Sequence, residues 1–126
     1  MNRDVEEKIK EINTEDLIWV IYIGIIIMSW YSNSFERKYF LFNDKVCKEK
    51  YRNINILIFS VLAVIYCYFL KNSVRDLKNL KPTDSEKKKK LVISSFVASL
   101  FITISGFLFL YVALMDDNID VEIAFN

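Results

Sequence analysis

Residues Leu91–Met115 read LVISSFVASLFITISGFLFLYVALM, 25 positions without a charged side chain. Two shorter charge-free runs precede this one, Leu17–Phe35 and Asn53–Leu70. As helices the three extend about 28, 27 and 37 Å in chain order, against a hydrocarbon core of about 30 Å. Lipid offers no partner for backbone N–H and C=O groups, so each run must satisfy its own by forming a helix. A transmembrane barrel needs many strands that alternate in polarity, and these runs do not alternate. The chain is 53% hydrophobic and 26% charged, with the two classes segregated into blocks. A soluble amphipathic helix interleaves them with a period near 3.6. The expected fold is therefore all-α: a polytopic membrane protein forming one three-helix domain, with spans at about 17–35, 53–70 and 91–115.

The flanks refine this. Val5, Ile9 and Ile12 give residues 2–12 a short amphipathic stripe. Asn13 or Thr14 is positioned to cap the first span, with Glu15 and Asp16 favoured by the helix dipole. Trp19 and Tyr22 at one end and Trp30 and Tyr31 at the other read as an aromatic belt. Ser32-Asn33-Ser34 is the expected bend, and Phe35, Tyr39, Phe42 and Val46 predict an amphipathic helix that either continues the first span or lies in the headgroups. After the second span, Leu70, Val74 and Leu77 keep helical spacing until Pro82 breaks it. Thr83-Asp84-Ser85-Glu86 matches the capping box that starts a new helix. Spans two and three thus form an extended antiparallel hairpin, basic outside the bilayer over about 71–90. An acidic tail, 116–126, follows.

Composition excludes several chemistries. The chain has no His, which removes Cys/His metal sites and the commonest general base. No nucleophile elbow or glycine-rich phosphate loop is present. No metal and no cofactor are expected, nor an enzyme. Cys47 and Cys67 fall at different depths and read as free thiols. Asp116-Asp117 reads as a solvated membrane exit. The acidic start does not read as a secretory signal, so the first run is expected to be retained. Frequent Lys, Asn and Ile suggest an AT-rich genome and hence a bacterial plasma membrane.

Two groups of residues stand out. On span three Ser95, Ser99, Ile102, Gly106 and Ala113 share one side, and Ser94, Ala98, Thr103 and Ser105 widen it. Small residues let helices approach closely, and hydroxyls can hydrogen-bond across. This helix-packing face serves contact with the other two spans, self-association, or the lining of a weakly polar pore. Gly24 fits the same close-approach role in span one. Lys87, Lys88, Lys89 and Lys90 form a basic cluster beside a membrane entry, suited to topology and to anionic lipid headgroups. No stacking aromatics interleave these lysines, so nucleic acid is not an expected partner.

Eleven bases lie on the side of the N-terminus and the 71–90 hairpin, and six on the other. The positive-inside rule puts the former in the cytoplasm and the acidic tail outside. The expected function is that of a small integral membrane protein acting through helix–helix contacts. It would be a non-enzymatic accessory, regulatory or immunity-type subunit whose partners are the lipid bilayer and a second copy or another membrane protein. The alternative is a self-assembling channel or membrane-permeabilising protein. In size and span count the layout resembles three-span phage holins, whose tails are usually basic where this one is acidic.

Overall fold

The structure, a computed structural model, describes residues 3–121 and 123. Asn2 of the amphipathic N-terminal segment, and Glu122 and residues 124–126 of the acidic tail, lie outside the described residues. Three helices follow one another: α1 (Arg3–Phe42), α2 (Lys45–Lys78) and α3 (Glu86–Met115), with no strand among the described residues. All three are long and apolar enough to cross a membrane. At 1.5 Å per residue they extend about 60, 51 and 45 Å, so each outruns its apolar run. With two glycines and one proline in the chain, little in the sequence interrupts a helix.

The expected cap of span one is absent, and the helix continues through the expected bend. Neither Asn13 nor Thr14 caps a helix; α1 passes through both. The Thr14 hydroxyl instead donates to the carbonyl of Lys10 at 3.0 Å. The Ser32-Asn33-Ser34 segment is also helical, with the Ser32 hydroxyl donating to Ser29 O at 3.0 Å and that of Ser34 to Tyr31 O at 2.6 Å. Hydroxyls bonded to a carbonyl one turn back can bend a helix without breaking it. The amphipathic N-terminal segment is therefore the first part of the same helix as span one.

The contacts divide the chain into two compact units, Met1–Ile54 and Asn55–Asn126. In the first, α1 ends at Phe42, inside the segment whose spacing predicts a continuous amphipathic helix to Val46. Asn43 takes a left-handed conformation, φ 54°, which Asn tolerates better than most residues. Asp44 then caps α2: its Oδ1 accepts from the amides of Val46 at 3.0 Å and Cys47 at 3.3 Å. The chain reverses over these two residues. Lys48 Nζ stands 5.6 Å from the centre of the Tyr39 ring, and Lys50 Nζ 5.3 Å from that of Phe35. The pairs run in opposite order along the two helices, so the start of α2 lies antiparallel to the end of α1. Ser32, Phe35, Cys47 and Tyr51 are buried in this unit.

In the second unit the remainder of α2 packs antiparallel to α3. Ser73 meets Ser99, Tyr66 meets Thr103, and the rings of Phe59 and Phe109 lie 5.8 Å apart. The connection, 79–85, contains the second cap, two residues later than expected. Helix α3 starts at Glu86, and the capping residue is Ser85, not Thr83. Ser85 has extended φ and ψ, and its Oγ accepts from Lys88 N at 3.1 Å. Asp84 holds the turn before it. Its carboxylate accepts from Lys81 N at 2.7 Å while its own amide donates to Lys81 O at 3.0 Å. With Asp84 fixed in the turn, Glu86 falls at the first helical position, where a capping box requires it at the third.

Much apolar surface has no protein cover. Trp19, Ile26 and Trp30 on α1, Val64 on α2, and Phe101 and Met115 on α3 are between 65% and 79% exposed. In water such surface is unfavourable by about 25 cal/mol per Å², a cost that lipid contact removes.

Candidate functional site: the α2–α3 seam and the basic hairpin

The seam is built on one line of α3. Ser99 Oγ and Ser73 Oγ share a hydrogen bond of 2.8 Å. One turn on, Thr103 Oγ1 lies 2.7 Å from Ser99 O on its own helix and 3.2 Å from Tyr66 O on α2, and the hydroxyl donates between them. Gly106 follows, buried against the Tyr66 ring. A Cβ added at Gly106 would stand 2.6 Å from Tyr66 Cδ2, closer than any real contact. Only glycine lets the ring lie where it does. Ala113 is 5% exposed on the same line. The line runs from half-buried Ser99 to buried Thr103, Gly106 and Ala113, with steps of 4, 3 and 7.

Of the residues the sequence places on this face, Ser99, Gly106 and Ala113 lie in the seam. Ser95 is exposed one turn before Ser99, and Ile102 is 50% exposed. Thr103 occupies the central position, and Ile102, its neighbour in sequence, points about 100° away around the helix. Ser73 and the Tyr66 carbonyl complete the seam from α2. A Cβ built at Gly24 meets nothing within 4 Å.

The lysine cluster is not uniform. Lys88 Nζ lies 3.3 Å from Asp84 Oδ1. Lys89 Nζ lies 3.6 Å from Glu86 Oε1 and donates to Pro82 O at 3.2 Å. Lys87 and Lys90 are exposed. The amide of Lys81, followed by Lys88, holds the Asp84 carboxyl below its usual value against the opposing effect of burial.

Two further carboxylates organise chain reversals. Asp44, besides capping α2, accepts from the Cys47 thiol through Oδ2 at 3.3 Å. That bond and the Cys47 and Val46 amides hold the Asp44 carboxyl below its usual value. Burial, then the Asp44 bond, pushes the Cys47 thiol up. Cys47 is buried and Cys67 exposed, and both are free thiols. At the end of α3, burial works to raise Asp116, but the amides of Asp120, Val121, Asn118 and Ile119 prevail and lower it. Asp120 N donates to Asp116 Oδ1 at 3.0 Å and Val121 N to Oδ2 at 2.8 Å. This carboxylate is engaged by its own backbone. Among the described residues no three His, Cys, Asp or Glu side chains gather as a metal site.

In the sequence, Asp44 was readable as a cap from Asn43-Asp44 followed by Lys45-Val46, but the periodicity of Phe35, Tyr39, Phe42 and Val46 runs straight across it. The chain matches no known protein-family profile, no curated protein and no solved structure.

Proposed function

We propose that this protein is a multi-pass protein of a bacterial plasma membrane that acts through helix–helix contacts in lipid, as a non-enzymatic accessory, regulatory or immunity-type subunit. One observation carries the reading. Helix α3 has a second line of small residues, Ser94, Ala98 and Ser105, all exposed, which the seam with α2 leaves unused. In lipid, close approach and hydrogen bonds drive helix association, and small residues permit both. A line of this kind, clear of the internal seam, suits a helix from another chain.

A second reading has its own support. Ser94, Ser95 and Ser105 expose hydroxyls, and copies gathered around them would line a weakly polar route. Ion flux separates the two. Purified full-length protein in liposomes is expected to pass no ions above empty liposomes; sustained flux would replace the first reading with the channel. The orientation that goes with the first reading puts the N-terminus and residues 71–90 in the cytoplasm. An alkaline phosphatase fused after Asn126 should then be active, and an inactive, folded fusion would reverse the topology.

A further inference from the structure

Along α2, at the end of its apolar run, lies an open groove of about 510 Å³. Its walls come from one face of the helix and form two parallel stripes. Cys67, Leu70 and Val74 make the apolar stripe, and Lys71, Arg75 and Lys78 the cationic one. Both stripes repeat at steps of three and four residues, so side chains within each stand over one another. The stripes are offset along the helix axis. The apolar one begins within the second charge-free run, and the cationic one begins at the first residue after it.

We propose that this groove holds one anionic phospholipid of the surrounding leaflet, with its phosphate at Lys71, Arg75 and Lys78 and an acyl chain along Cys67, Leu70 and Val74. The proposal rests on the membrane reading of α2 and not on any protein partner. Two features point to a lipid. The occupant must be anionic at one end and apolar at the other, with its apolar end entering the charge-free run at Leu70 and Cys67. A soluble anion uses only the cations, and an acidic protein segment does not reach the apolar floor. In the lysine cluster of α3, Lys88 and Lys89 pair with Asp84 and Glu86; what sets the groove apart is the apolar stripe beside its cations. Arg75 pairs with Asp76 at 3.7 Å, both side chains about half exposed. Among the described residues no acidic partner is paired with Lys71 or Lys78.

The test uses the full chain in a zwitterionic detergent, titrated with phosphatidylglycerol or phosphatidylcholine and read by native mass spectrometry. One phosphatidylglycerol should be retained, with phosphatidylcholine at least about tenfold weaker. Joint replacement Lys71→Gln, Arg75→Gln and Lys78→Gln should weaken retention on the order of a hundredfold. Lys87→Gln, Lys88→Gln and Lys90→Gln together remove as much charge and should leave it within about threefold of the unaltered chain. Val74→Trp fills the groove without changing charge and should also abolish retention, which keeps the test valid if the triple groove variant fails to fold. Equal losses in both triple variants, normal retention by Val74→Trp, or displacement by inorganic phosphate would each overturn the proposal. Flotation with phosphatidylglycerol/phosphatidylcholine vesicles is the separate control. A chain that floats but retains no lipid refutes the groove alone, and one that does not float refutes the membrane reading with it.

Discussion

Between Tyr66 and Ser73, α2 meets α3 through hydroxyls, a backbone carbonyl and the bare face of a glycine. Between Lys48 and Lys50, the same helix meets α1 through ammonium groups set over aromatic rings. The first contact lies largely on the apolar runs, the second near and beyond their ends. The difference follows from the solvent each region is suited to. Lipid tails are as apolar as leucine, so an apolar face gains nothing there by leaving lipid for protein. Close packing and polar contacts must hold such a pair. Water penalises exposed rings, and in it burial of Phe35 and Tyr51 is itself a driving force. One helix thus uses two adhesives along its length, each within its own unit.

The largest expected effect tests the lipid-side pairing. Gly106→Leu must displace the Tyr66 ring, which already stands 2.6 Å from the place of the first added carbon. Overpacking of this kind costs about 1–3 kcal/mol. Gly24→Leu is the matched control: nothing lies within 4 Å, and a helix interior gains up to about 1 kcal/mol on losing a glycine. Unfolding in mixed micelles should show a clear loss for the first and none for the second. Equal tolerance would mean that the glycine does not hold the seam together.

The same contrast explains what the sequence made legible. The three helices were readable because a charge-free run of spanning length has few other uses. Their joints were harder. Thr14, Ser32 and Ser34 look like cap or bend residues, but their hydroxyls find carbonyls one turn back. At Asn43-Asp44 the apolar period continues unbroken through a reversal that depends on one left-handed residue and one carboxylate. Span three carries small residues on several sides, so its sequence has too little contrast to separate Thr103 from Ile102 as the seam position. The α2 side of the seam was less visible still, because its acceptor at Tyr66 is a backbone carbonyl, which every residue has.

The second prediction turns to the two reversals. Ser85→Ala should cost about 1 kcal/mol as a lost cap, whereas Thr83→Ala, at an exposed turn position, should cost a few tenths at most. If the Thr83 variant proved the more damaging, the box beginning at Thr83 would be the real start of α3. Acid should loosen both reversals together. Asp44 and Asp84 have folded values below the ordinary one near 3.8. A depressed carboxyl contributes stability that is complete above its unfolded value and is lost as pH falls through the folded one. Amide protection at Val46, Cys47 and Lys81 should therefore hold from pH 7 down to about 5 and decline below about 4. Asp44→Asn retains a capping oxygen and should flatten that decline at Val46 and Cys47 while leaving Lys81 responsive.

The smallest expected effects separate the two adhesives most directly. Ser99→Ala removes the 2.8 Å bond to Ser73. Interhelical bonds of this kind average about 0.6 kcal/mol, because the hydroxyl left behind finds a carbonyl on its own helix. Lys50→Met keeps most of the stem over Phe35 but deletes the charge, at a cost of about 0.5–1 kcal/mol for a contact open to water. By size the two variants are nearly indistinguishable, but salt divides them. At 1 M the screening length falls to about 3 Å, shorter than the 5.3 Å between the Lys50 ammonium and the ring centre. The cost of Lys50→Met should therefore shrink between 0.05 and 1 M salt. That of Ser99→Ala should not change, since neither hydroxyl carries a charge and Ser73 is 8% exposed. A salt-dependent Ser99→Ala would mean that water and ions reach the seam, and that this part of α2 and α3 does not lie in lipid.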